Sequence, residues 1–369
     1  MERARRSWRL GRGVLGRLLL SLLLSLCLAG FAPAAFAAPA ARAESAAAVA
    51  RATPDDPLTV QVGLHVRNIH GLSLHEQTFK ADGWYWLKVP PAVLALMERR
   101  GISPKDMVEF VNQVDNWDGL IELLDEEQPP PEDGSRLFSF RFAASFYVNE
   151  IDQRRSPFES IRLPLILETD ADSFADPASR VQLRPEPGSR GLLGDYSSIY
   201  GYQLRGVQIR AADHVYPTAF GKDSDQTYSR VELWVEYRPD PWAMFTQWIL
   251  PLLLVMCLVL LAPSLEGTLG DARLAIPPTA LLTLVFMQQS YKAEMPPTSY
   301  LTFLDQLYIY GYVVSVGLFV LFLWGSNQME AASVDQRERV MRRINRVDLR
   351  SQVVALIGFV LVALIAWSR

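Results

Sequence analysis

Four apolar stretches in the last third of the chain, at 244–262, 274–292, 303–324 and 353–367, constrain it most, because each approaches the length a helix needs to cross a bilayer. They predict an all-α, four-helix transmembrane domain over 243–369. The second stretch is unlike the others. Ala275, Thr279, Leu282, Phe286 and Gln289 recur there at steps of four, three, four and three, so they share one helix face. A helix alone in lipid gains nothing by aiming Thr279 and Gln289 at hydrocarbon, so that face looks into a protein interior or a water-filled lumen. The stripe alone fits both the inner face of a non-conducting packing unit and the wall of a pore built from several copies.

The chain opens on Arg3, Arg5, Arg6, Arg9, Arg12 and Arg17, followed by an apolar run and the small-residue sites Ala35-Phe36-Ala37 and Ala41-Arg42-Ala43. This pattern predicts a secretory signal peptide over 1–43, with an uncleaved anchor as the alternative. Either one exports the region that follows. Only Cys27 and Cys257 occur, both in apolar stretches, so no disulfide can staple the exported region and a packed core must hold it. A net charge of −4, with acids and bases interspersed, excludes a nucleic-acid partner.

Period-two alternation at 60–66, 138–142, 161–167 and 231–237 reads as half-buried antiparallel strands. Turn signals at Asp82-Gly83, Asp133-Gly134 and 221–225 lie between such runs, and short helices are expected at 91–100 and 104–114. The expectation is an all-β, immunoglobulin-like sandwich of about ten strands over 55–239. Tyr237, Trp242 and Trp248 then suit an interfacial aromatic belt. The segment 326–350 reads as a loop carrying Arg337, Arg339, Arg342, Arg343, Arg346 and Arg350, whereas the connection 292–302 holds one lysine. The positive-inside rule puts the arginine loop in the cytoplasm and the sandwich and the chain end outside.

Three local matches give this order of parts a likeness. They are Val62-Gly63-Leu64 running through Asn68-Ile69 to the 78–86 segment TFKADGWYW; the turn Arg155-Ser156-Pro157-Phe158-Glu159; and the block from Arg273 through Leu282 to Pro296-Pro297-Thr298-Ser299-Tyr300-Leu301-Thr302 and Asp305. Together they resemble the pentameric ligand-gated ion channels, in the bacterial branch that lacks the Cys-loop disulfide. Glu159 stands where that family has aspartate, and Asp271 where anion-selective relatives usually carry proline.

The resemblance implies a homopentamer in the cell inner membrane, multi-pass, with its sandwich and C-terminus periplasmic. It implies a central pore with Leu282 as hydrophobic gate, Phe286 a second constriction above it, Ala275 and Thr279 in the narrower cytoplasmic half and Gln289 farther along the same row. Asp271 and Arg273 flank the mouth. A ring of Asp271 carboxylates favours monovalent cations, although the same aspartate also suits a helix N-cap. Pro277 and Pro278 would shift the lower lining if the regular helix begins near Ile276. The family's agonist pockets are aromatic boxes at subunit interfaces, for which Trp84, Trp86, Tyr147, Tyr216 and Phe220 are the candidates, with Trp117, Tyr196, Tyr200 and Tyr228 also aromatic. The agonist is a small molecule or a proton, for which His65, His70, His75 and His214 are the titratable candidates. Gating residues by family position are His75, Glu76, Arg155, Pro157, Phe158, Glu159, Arg238, Pro296 and Tyr300, with Arg238 expected to pair with Glu159.

The acidic run 125–127 with Glu132 and Asp133 reads either as a calcium site or as solvated surface, and no metal ligand or cofactor is assigned. No HExxH, P-loop, GxSxG or CxxC occurs, which argues against an enzyme. The rival to a channel is a non-conducting periplasmic sensor or binding module anchored by its helices.

Overall fold

The computed structural model describes residues 58–114, 119–124, 133–149, 151–170, 174, 180–188, 191–218, 227–265 and 270–368. The expected signal segment, Trp117, Phe220, the acidic run 125–132 and the turn 221–225 lie outside the described residues. The rest divides into a strand unit drawn from Arg42–Ile151 and Ser160–Asp240, and a helical unit drawn from Asp152–Glu159 and Pro241–Arg369.

In the strand unit the alternating runs become strands. Ten are present among the described residues: β1 (Thr59–Ser73), β2 (Thr78–Val89), β3 (Val108–Phe110), β4 (Leu120–Leu124), β5 (Arg136–Tyr147), β6 (Ile161–Thr169), β7 (Gln182–Pro185), β8 (Leu193–Tyr196), β9 (Tyr202–Val215) and β10 (Thr227–Pro239). One sheet runs β4-β5-β2-β1-β7 with β8 also on β1, and the other runs β3-β6-β10-β9. Their inward residues meet in one core. Val60, Val62, Leu64, Phe79, Leu87, Phe140 and Phe142 come from the first sheet, and Leu163, Leu165, Leu167, Val231, Leu233 and Val235 from the second. Across the middle, Tyr85 stacks on Phe140 at 4.6 Å and meets Phe110 of the opposite sheet edge-on at 5.6 Å.

Asn112 joins the sheets where β3 stops short. Its Nδ2 donates to Pro164 O (2.8 Å) and Tyr147 O (3.1 Å), and Ile166 N donates to its Oδ1 (3.2 Å). The side chain thus takes the place of a missing strand along β6. Two expectations fail in this unit. Asp82-Gly83 lies inside β2, not at a turn, because a Cβ at Gly83 would collide with His65 O of the paired strand. The helix predicted at 104–114 is a single 3-10 turn, Pro104–Asp106, followed by β3. α1 (Pro91–Arg100) forms as expected, ending on Gly101 at φ 67°.

The helical unit holds α2 (Pro241–Ser264), α3 (Gly270–Glu294), α4 (Phe303–Glu330) and α5 (Arg337–Ser368). The expected domain of four membrane-crossing helices is corrected here. Among the described residues, three helices, α2, α4 and α5, are long and apolar enough to cross a membrane. That apolarity marks the chain as membrane-associated. The second stretch is helical but fails on composition, because Pro277, Pro278, Thr279, Thr283, Gln288, Gln289 and Ser290 dilute it and Arg273 and Lys292 bracket it. The predicted loop 326–350 is also corrected. α4 continues to Glu330 and α5 begins at Arg337, since the arginine tract is made of good helix formers with Glu338 and Arg342 one turn apart. In α2 a π turn, Phe245–Ile249, lies just ahead of Pro251, whose missing N–H interrupts the ladder.

Candidate functional site

α3 has two unlike faces. Arg273, Pro277, Ala280, Leu284 and Tyr291 are buried against the neighbouring helices, again at steps of three and four with one turn skipped. Asp271, Ala275, Thr279, Leu282, Phe286 and Gln289 are all exposed, Leu282 at 56% and Phe286 at 65%. The row singled out by its spacing is therefore the face the unit leaves open. The helix runs without a break through Pro277 and Pro278, so it does not begin at Ile276. Asp271 lies within its first described turn, inside the helix and not at the N-cap position. Thr279 Oγ1 donates to Ala275 O (2.8 Å) and Thr283 Oγ1 to Thr279 O (2.9 Å). Each hydroxyl proton is thus spent on the backbone, and the oxygen lone pairs are what the side chain offers outward.

Arg273 does not share the open face. It is buried, with Nη2 2.6 Å from Asp348 Oδ2 of α5 and its guanidinium 4.3 Å from the centre of the Phe322 ring. Asp348, one of two acids in the arginine tract with Glu338, thereby cancels the arginine at the start of α3. Asp348 is a partner that sequence reasoning missed, although an acid placed between Arg346 and Arg350 was a usable signal. Higher on α3, Lys292 Nζ reaches Asp305 Oδ2 at 2.7 Å and Gln288 Nε2 donates to Asp305 Oδ1 at 3.1 Å. Asp305 also closes a capping box with Thr302 at the start of α4.

The second assembly is the turn 152–159, which belongs to the helical unit although it joins β5 to β6. Tyr291 OH donates to Ser156 Oγ at 2.9 Å, Gln153 N donates to Tyr300 OH at 2.9 Å, and Phe303 N donates to Arg154 O at 2.8 Å. Phe158 packs edge-on to Trp367 at 5.8 Å, and the Arg154 guanidinium lies over the Tyr300 ring at 5.5 Å. Pro157, after a cis Ser156–Pro157 peptide, and Pro296 are buried. The turn is thus held by the end of α3, the α3–α4 link, the start of α4 and the end of α5. Burial raises the Glu159 carboxyl above its ordinary range, Asp152 adds to that, and Arg155 opposes it. Arg155 is the cation that acts on Glu159 from within the unit. Arg238 is exposed on β10, opposite Gln203 of β9, and His75 and Glu76 occupy the turn between β1 and β2. Tyr291 was not singled out from sequence, because a tyrosine after a polar run carries no distinctive spacing.

The aromatic candidates fall into separate places within one chain. Trp84 and Trp86 point outward from β2, Trp84 stacked with His65 (5.9 Å) under Arg67 (5.5 Å), and Trp86 Nε1 donating to Glu186 Oε2 at 3.0 Å. Tyr147 is exposed at the end of β5. Tyr216 lies just past β9, the edge strand of the other sheet, edge-on to both His214 (4.4 Å) and Tyr228 (5.6 Å). Its hydroxyl donates to Glu168 Oε1 at 2.8 Å and accepts from Arg230 Nη2 at 3.0 Å. Glu168 is buried and paired with Arg230, which faces it across the β6–β10 ladder. Burial and the Glu168 hydrogen bond raise the Tyr216 hydroxyl above its usual range. The Glu168–Arg230 pair was missed; one charged residue closing each of two apolar alternations was its signal. Among the described residues, no three His, Cys, Asp or Glu side chains gather as a metal site would require. No protein-family model matches the chain, and no curated protein matches it.

Proposed function

We propose that the chain is the subunit of a homopentameric ligand-gated ion channel in which α3 lines a central aqueous lumen. The observation that carries this reading is the open face of α3. A helix that buries Leu284 and Tyr291 while leaving Thr279, Leu282, Phe286 and Gln289 uncovered has a face suited to water as well as to side chains, and five copies around an axis would enclose it. In that arrangement rings of Leu282 and Phe286 form dewetting constrictions and the Thr279 oxygens solvate the ion.

Selectivity for monovalent cations follows from the same geometry. Arg273 is neutralised by Asp348, Asp271 is the charged side chain in the exposed row, and the threonine hydroxyls present lone pairs. With α3 crossing along the water-filled lumen and not in lipid, the sandwich and the chain end are periplasmic and the arginine tract cytoplasmic in an inner membrane, by the positive-inside rule. Agonist, a small molecule or a proton, binds between subunits, where Tyr216 on the β9 edge of one copy meets Trp84 and Trp86 on the outer face of β2 of the next. The turn 152–159, seated on Tyr291, Tyr300 and Phe303, carries the change to the pore helix.

The test is current in planar bilayers from purified wild type beside Leu282→Ala, over a pH series. The alanine variant is expected to conduct at rest more than wild type, with a reversal potential that follows sodium or potassium. Reversal that tracks chloride removes the cation assignment, and silence of both proteins as verified pentamers removes the channel in favour of a non-conducting sensor.

A further inference from the structure

The aromatic belt expected where the chain enters α2 is only partly in place. Trp242, in the first turn of α2, is 44% exposed, but Tyr237 is buried in the sandwich core and Trp248 in the helical unit. Two other tyrosines lie beside that entrance. Tyr202 pairs with Pro239 at the end of the β9–β10 ladder, and Asp240 N donates to Gly201 O at 2.8 Å. The segment 196–201 is therefore fastened to the last residue of the strand unit, one residue before Pro241 opens α2. Its side chains alternate. Ser197 and Ile199 turn inward, Ile199 against the core, while Tyr196 is 73% exposed and Tyr200 completely so. Hydrogen bonds hold this loop in shape: Tyr237 OH donates to Ser197 O, Ser197 Oγ to Gly194 O at 3.0 Å, and Tyr202 N to Ile199 O at 3.0 Å. Tyr237 thus supports from within the loop that carries two rings outward.

We propose that Tyr196 and Tyr200 anchor the strand unit to the bilayer surface, their rings in the ester and headgroup layer of the leaflet that α2 enters. A tyrosine has an apolar ring and a polar tip, so it gains where one side is hydrocarbon and the other wet. Neither hydroxyl has a partner among the described residues, and lipid esters and phosphates accept the bonds they can donate. The surrounding charges balance. Arg205 is met by Glu236 at 3.2 Å and Asp240 by Gln203 at 2.9 Å, leaving Asp195 and Arg238 exposed, one of each sign. The patch therefore suits the layer common to all phospholipids, and not a charged partner or a particular headgroup. The fastening to Asp240 favours the bilayer over a second copy of the chain, because it holds both rings at the level where lipid begins. The inference rests on α2 crossing the membrane, and not on conduction.

The test is a depth measurement by electron paramagnetic resonance on full-length protein in liposomes. A nitroxide is attached at Tyr200→Cys, or at Val215→Cys as reference, in a background where Cys27→Ser and Cys257→Ala remove the native thiols. Val215 is 55% exposed at the other end of β9, about 43 Å along the strand. At position 200, collisions with lipid-dissolved oxygen should exceed those with an aqueous nickel chelate, and at position 215 the order should reverse. The order at 200 should be the same in phosphatidylcholine and in phosphatidylglycerol. Equal nickel access at the two positions overturns the proposal. A label at 200 shielded from both reagents also overturns it, and assigns the loop to a second copy of the chain. Should the thiol-free background fail to purify, a phospholipid carrying a diazirine at its ester end must still crosslink the 196–200 segment of wild type. Capture at Trp242 without capture at 196–200 overturns the proposal, and capture at neither removes the membrane placement of α2 as well. None of these readings depends on whether current flows.

Discussion

Asn112 shows how one side chain can carry a junction. It is buried, it supplies two donors and one acceptor, and its three partners are backbone groups of β5 and β6 that no strand reaches. Removing it strands all three. We expect Asn112→Ala to destabilise the sandwich by about 3–5 kcal/mol, several times a surface substitution, because unsatisfied buried groups cost far more than a hydrogen bond contributes. Urea unfolding followed by tryptophan fluorescence measures it. A change below about 1 kcal/mol would mean that water replaces the amide. Glu168 and Arg230 use the opposite solution, a charge met by a charge across the ladder, with Tyr216 bridging them.

At the scale of elements, α3 depends on α5 through the Arg273–Asp348 pair. Asp348→Ala leaves a buried arginine without its anion and should cost about 3–5 kcal/mol, whereas replacing both, Arg273→Met with Asp348→Leu, should cost far less. Thermal unfolding of the purified protein in detergent separates the two, and equal losses would make the site merely tight packing. Strands were largely legible because a half-buried strand writes its burial directly into alternation, as 161–167 and 231–237 do. What alternation cannot show is partner choice. Asp82-Gly83 reads as a turn from composition, yet the glycine is required by the close approach of β1. The open row of α3 was legible from period alone, but the burial of Arg273 was not, since its partner lies 75 residues along the chain. The stretch 326–350 looked like loop for want of apolar residues, although charged side chains form helix readily when one face is held, as Ile344 and Asp348 hold this one.

For the molecule as a whole, the turn 152–159 makes acidity a structural variable. Glu159 is held above the ordinary carboxyl range by burial first and by Asp152 second. A carboxyl raised in this way binds its proton more tightly folded than unfolded. Its contribution to stability is therefore complete below the ordinary range and is lost as pH rises through the folded value. Wild type should lose thermal stability between about pH 4 and pH 7 more steeply than Glu159→Gln, which has nothing to titrate there. Parallel melting curves across that range would show that the carboxyl titrates as it does in solvent. The grouping of that turn with the helices has a further consequence, in covalent connectivity. Among the described residues the chain passes between the two units three times, at 151–152, 159–160 and 240–241. A single proteolytic nick at any one of them leaves the units tethered, and a fragment cut after Pro239 would take the turn away from Tyr291, Tyr300 and Trp367, uncovering Pro157 and Phe158. The strand unit is therefore not a detachable module, and the loop that would have to be rebuilt to make it one is eight residues long.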